Sequence, residues 1–269
     1  MAGTGIGTPV ASKDDTLTIC SISVIALILS TMLHEGLGHG ALALLTGATW
    51  GTLSTVAWSS DYDSRLVAAG GTLVNLAAGL LFWLALRAAA ITSARTRFFL
   101  FITCAFNLFT GTGYFFFSGV TNFGDWAAVI DGIHPHWLWR VLLVVVGMAS
   151  YYGAMLLVGT SLVRYLGVPI SDRARFRKLT VLPYVAALVL EAVAAIRNPV
   201  GIRLIFESAL AATAGANCGL LFMQYYISKT TIPGPNNRSI RRSYAWIAAA
   251  TALALVFILI LGPGIRVHR

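Results

Sequence analysis

The sequence predicts an all-α fold: a polytopic membrane bundle of about seven transmembrane helices, alternatively six, with a metal site between helices one and three. Composition is the first observation behind this. Of 269 residues 57% are AVILMFWYC and only 11% are charged, against roughly 25% charged in a soluble domain. The mean hydropathy is +0.78, so too few polar side chains remain to cover a globule in water. Charge-free runs are the second, each long enough to cross a hydrocarbon core, which takes about 20 apolar residues. A cluster of ionisable residues at the end of the first run, His34-Glu35-Gly36-Leu37-Gly38-His39, is the third. A water-soluble enzyme, a disordered chain and a nucleic-acid module are excluded, and the lipid bilayer is the expected surrounding.

Counting between charges gives the helices in order: 16–33, 66–86, 98–124, 141–163, 179–196, 208–228 and 243–265. The fifth run contains Glu191 and is the weakest, which leaves six as the alternative. A short charged stretch precedes the first run, as in a secretory signal. No small-residue cleavage pattern ends it and another apolar stretch follows, so it reads as a retained helix. The basic loops 171–178 and 229–242 read as connectors, and residues 1–269 as a single integral membrane domain. Cys20, Cys104 and Cys218 lie inside apolar runs without metal spacing and read as small buried hydrophobes.

The formal charge of +9 bears on orientation, because Lys and Arg gather in loops kept on the cytoplasmic side. With seven crossings, 13 Lys and Arg fall on the face that holds Lys13, Arg87, Arg175 and Arg242, and 6 on the face that holds Arg65 and Arg140. The amino terminus is therefore expected in the cytoplasm. A bacterial inner (plasma) membrane is the default location, since nothing marks an organelle.

Ionisable residues in a spanning segment are expensive and default to a functional role. Two imidazoles with a Glu between them suit a metal site in which the Glu acts as general base, the logic of HExxH on a helix. Here the histidines are five apart, and five steps of about 100° leave them roughly 140° apart on an ideal helix. A π-bulge would bring residues five apart onto one face, and Gly36 and Gly38 make that distortion cheap. The other reading pairs Glu35 with His39 on one face and leaves His34 elsewhere.

The stretch Leu33–Ala43 followed by Leu45-Thr46-Gly47, together with Gly70-Gly71-Thr72-Leu73-Val74-Asn75, resembles the intramembrane zinc metalloproteases of the site-2 protease type. The first stretch is similar to that family's HExGHxxxA region with one residue inserted, and the second to its Gly-Pro-x-x-Asn element. The soluble dipeptidyl peptidase III family carries a similar HELLGH spacing, although its fold and second motif are absent here. The resemblance covers about the first half of the chain, so it implies a metalloprotease-like core over 1–135 and additional helices over 136–269. It implies zinc held by His34 and His39, Glu35 as general base, and cleavage of a peptide bond in a membrane protein or peptide.

The family's third ligand is an Asp in an Asn…Pro…Asp-Gly string that this chain lacks. By analogy Asp125, in Asn122-Phe123-Gly124-Asp125-Trp126, is the candidate, with His134 or His136 as alternatives. Topology supports Asp125, because helices one and three run the same way and the cluster and Asp125 both lie near their far ends. Asn75 is either an oxyanion donor or a partner for a neighbouring helix. Glu191 and Glu207 read as an interfacial ion-pair network with Arg197 and Arg203, the aromatics from Tyr114 to Phe117 as core or interfacial anchors, and Gly215 with Gly219 as a weak packing signal. The competing function is a catalytically degenerate relative that binds a metal or partner helix without hydrolysis.

Overall fold

The computed structural model describes residues 14–88, 91–198 and 211–269. Lys13, Arg203 and Glu207 lie outside them, as does the start of the run 208–228. Among the described residues six helices are long and apolar enough to cross a membrane: α1 (Thr16–Thr46), α2 (Arg65–Arg87), α3 (Ala94–Thr121), α5 (His136–Leu166), α6 (Arg173–Ile196) and α7 (Tyr244–Leu261). A short helix, α4 (Asp125–Ile130), follows α3. These helices suit a multi-pass membrane protein.

Local chemistry sets the helix ends. Asp15, Ser64, Ser93 and Asp172 are N-caps whose side-chain oxygens accept backbone N–H groups of α1, α2, α3 and α6. Gly167 ends α5 in the left-handed conformation at φ 67, which costs glycine nothing. Inside the helices Ser23, Thr103, Thr112 and Ser161 return their hydroxyls to carbonyls four residues back, so these polar groups are satisfied where there is no water.

The core lies around α3, whose Phe98, Phe101, Ile102, Phe106 and Phe109 are fully enclosed by Ile19 and Ile22 of α1, Val158 and Leu162 of α5, and Phe176 and Leu179 of α6. The outer helices keep apolar side chains exposed, among them Leu81 on α2, Met148 on α5 and Leu259 on α7. An outward apolar face is expected of a bundle whose solvent is lipid.

The helices alternate between two ends of the bundle. Arg175 at the start of α6 pairs with Asp14 at 2.7 Å, and Ser243 before α7 donates to Thr18 at 3.0 Å. Both helices therefore begin at the amino-terminal end of α1. At the other end Gly262, just past α7, packs on Ala194 and Arg197. The chain between α6 and α7 therefore returns to the end at which α6 began. Its described part is a chain of short turns, π at Ala211–Gly215, 3-10 at Ala216–Cys218, α at Gly219–Phe222 and 3-10 at Met223–Tyr225. The Tyr151 hydroxyl on α5 pins this path, donating to the Ala216 carbonyl and accepting from Gly219 N–H. Of the expected packing pair, Gly219 touches Phe109 and Tyr151 while Gly215 faces open space.

A small sheet is the departure from an all-helical chain. Strand β1 (Trp50–Leu53) pairs antiparallel with β2 (Trp58–Ser60) and with β3 (Ile265–His268), in the order β2-β1-β3. Leu53 faces Ile265 and Trp50 faces His268, so the last residues of the chain close over the hairpin that follows α1.

A candidate metal centre at the end of helices α1, α2 and α4

Residues Met32–Ala41 of α1 form a π-helix. This is the distortion that five-residue spacing requires, although it extends over ten residues where a single bulge was expected. His34 and His39 now project from one face, with Nε2 atoms 3.2 Å apart. Glycine makes room for them. A Cβ on Gly38 would lie 2.4 Å from the Gly71 Cα, and one on Gly71 would lie 2.4 Å from His39 Nε2 and 2.7 Å from His34 Nε2. No side chain larger than hydrogen fits at either place without moving the backbone or the rings.

Asp125 closes the group, as the parity of the helices suggested. It does not sit on the long helix α3. The chain leaves α3 through Asn122 at φ 57 and Gly124 at φ 85, and this turn carries Asp125, the first residue of α4, back towards α1. Its carboxylate lies 3.3 Å from His34 Nε2 and 3.6 Å from His39 Nε2, and Thr72 on α2 donates to it at 3.1 Å.

The outer ring nitrogens fix the tautomers. His34 Nδ1 meets Asn75 Oδ1 at 2.5 Å and His39 Nδ1 meets the Val67 carbonyl at 2.7 Å. The Asn75 amide donates to Asn107 Oδ1 at 2.7 Å and to Ser30 at 3.3 Å, so its oxygen is the atom that faces His34. Both partners are acceptors, and each neutral imidazole must then carry its proton on Nδ1. That leaves two bare Nε2 lone pairs and a carboxylate facing one point, a group stable only around positive charge. The three ligand atoms all lie within 4.8 Å of one another.

Glu35 is buried beside this group. Its Oε2 accepts the Trp58 N–H of β2 at 2.8 Å, and its Oε1 lies 4.0 Å from His34 Nε2. A cavity of about 420 Å³ opens here, lined by Glu35, His39, Asp125, Tyr114 and the β2 segment Trp58–Ser60.

For Asn75, His134 and His136 the structure favours one of the readings the sequence left open, and for Glu191 it corrects the expected one. Both polar ends of Asn75 are engaged and the residue is fully buried, so it orients His34 and has no donor left for an oxyanion. His136 bonds Asn122 Oδ1 at 2.9 Å and His134 is exposed; neither joins the ligand group. Tyr114, expected as an anchor, stacks on His34 with centroids 4.9 Å apart and rings 22° from parallel. Glu191 is buried and accepts from Thr31 at 3.1 Å. It forms no ion pair with Arg197 among the described residues, because it faces the bundle interior and not the interface.

The Asn75 contact carries a prediction. Outer-shell partners of metal-bound histidines typically contribute about 10–100-fold in affinity, so if this group holds an ion Asn75→Ala is expected to weaken the binding of an added divalent metal by about that factor without abolishing it, as measured by competition with a chelator.

No protein-family model, no curated protein and no solved structure matches the chain.

Proposed function

We propose that the protein is a membrane-embedded zinc hydrolase that cleaves a peptide bond in a membrane protein or peptide, on the pattern of the site-2 proteases. The observation that carries the reading is the convergence of His34 Nε2, His39 Nε2 and the Asp125 carboxylate around one point, with a second carboxylate, Glu35, beside it. The spacing fits zinc. Two nitrogens each 2.0–2.1 Å from a tetrahedral ion lie about 3.3 Å apart, and the Nε2 atoms are 3.2 Å apart. Two nitrogens and one oxygen also make the three-ligand set that leaves zinc a fourth, open position.

Zinc bound by His34, His39 and Asp125 would supply a Lewis acid for the scissile carbonyl and for water. Glu35, held through Oε2 by the Trp58 N–H, turns Oε1 towards the same space. There it takes the proton of the attacking water and passes it to the leaving amine. The 420 Å³ cavity receives the substrate, and the edge strand β2 offers it main-chain groups to pair with once its helix has unwound.

The described turns of 211–225 belong, on this reading, to a seventh crossing that is a broken helix. By the excess of Lys and Arg, the end of the bundle that holds Asp14 is cytoplasmic and the site faces the opposite side. Incubating the purified chain in detergent micelles with a library of peptides derived from transmembrane segments tests the function. Mass spectrometry is expected to find defined internal cleavages that a zinc chelator stops and added zinc restores; intact peptides throughout would overturn the reading.

A further inference from the structure

A second, smaller cavity of about 50 Å³ lies on the interior side of the site, with His34, Glu35 and Tyr114 in its wall. Its far wall comes from three distant parts of the chain: Thr55 in the β1–β2 turn, Glu191 of α6 and Asn217 of the broken segment. These residues are 2%, 3% and 1% exposed. Thr55 Oγ1, Glu191 Oε2 and Asn217 Oδ1 each lack a hydrogen-bond partner. The other atoms of two of these groups are already engaged: Glu191 Oε1 accepts from Thr31, and Asn217 Nδ2 donates to the Thr213 carbonyl at 3.1 Å. All three oxygens belong to residues that line the cavity and have no partner among the described residues, and leaving buried oxygens unpaired is costly.

We infer that this cavity binds an ammonium group of the substrate, held by Glu191, Asn217 and Thr55 within one helical turn of the reacting bond. An ammonium has three N–H donors and no acceptor, and it meets three unpartnered oxygens here. Water would satisfy the hydrogen bonds and leave the Glu191 carboxylate without a counter-charge, since no lysine or arginine among the described residues lines the cavity. A cation keeps a buried carboxylate ionised where burial alone would favour the neutral acid, and the space holds a group the size of a few waters. Thr31, the Glu191 partner, precedes Glu35 by four residues, which places the ammonium near the scissile bond. The group is either the free amino terminus of a peptide or a lysine side chain close to the cleavage point. This inference rests on the zinc hydrolase reading.

Hydroxamates that chelate zinc and carry an amine are the probes. Glycine hydroxamate places the amine as an amino terminus would, and 6-aminohexanoic hydroxamate as a lysine would; each is compared with its N-acetyl form on the full-length, zinc-loaded chain by calorimetry. The free amine of one pair is expected to bind about 10-fold or more tighter than its acetylated form, as for a charged hydrogen-bonded group. Glu191→Gln is expected to erase that preference and retain its zinc, and Thr55→Val to reduce it. Preference in the short pair identifies an amino terminus, and in the long pair a lysine. Equal binding of amine and acetyl forms to the wild type, or a preference untouched by Glu191→Gln, overturns the inference while the zinc reading stands. Failure of every hydroxamate to bind, together with absence of zinc, overturns both.

Discussion

Removing any one of His34, His39 or Asp125 is expected to strip the chain of metal. The wild-type protein, purified in detergent, should carry about one zinc per chain by mass spectrometry, as a three-ligand site does. His34→Ala, His39→Ala and Asp125→Ala should carry almost none. The reason is the compactness of the group: all its ligand atoms lie within 4.8 Å of one another, and the neighbouring carboxylate of Glu35 is held back by the Trp58 N–H, with its Oε1 4.0 Å from His34 Nε2. Asp125→Ala is the most informative of the three. It removes the only carboxylate that touches both Nε2 atoms, leaving two neutral imidazoles, and the loss should exceed the roughly 10–100-fold that an outer-shell partner contributes. The substitution sits at the start of a six-residue helix, outside the packed core, so elution as a monodisperse species separates metal loss from unfolding. Zinc retained in Asp125→Ala would overturn the ligand set.

The parts of this site that were legible in the sequence follow from geometry that a chain must obey. Five-residue spacing of His34 and His39 admits a common ligand only on a widened helix, and the glycines at 36 and 38 marked where widening is cheap. Asp125 came by analogy with the family the sequence resembles, and parity supported it, because alternate helices end on the same side. What stayed hidden depends on tertiary approach. Glu191 is six residues from Arg197, and the chain alone favours pairing them; the Thr31 hydroxyl of α1 claims the carboxylate because α6 packs on α1. Tyr114 lies in a run of aromatics whose members differ only in what α1 brings against them. The strands are three and four residues long, below the length at which alternation can be read. The broken segment around Asn217 is as apolar as a helix, so hydropathy carries no sign of its interruptions.

Glu35→Gln is expected to keep the metal and lose the chemistry. Glutamine has the shape of glutamate, and its amide oxygen can still accept the Trp58 N–H that Glu35 Oε2 accepts at 2.8 Å. The hairpin therefore stays docked on α1, and His34, His39 and Asp125 keep their positions. The change falls on the other atom: Oε1, which faces the metal side of the cavity, becomes an NH2 that can take no proton. A positioned general base contributes about 10²–10⁴-fold, so peptide cleavage followed by mass spectrometry over time should slow by that factor while zinc content stays at the wild-type level. Glu35→Ala differs in kind, since it also frees the Trp58 N–H and loosens β2, and it should lower thermal stability where the glutamine variant does not. If the protein binds metal without hydrolysis, the wild type and Glu35→Gln would be equally inert towards peptides, and a cellular role would survive the substitution. A wild type that cleaves and a zinc-bound glutamine variant that does not would place the proton transfer on Glu35 and distinguish an enzyme from a degenerate scaffold.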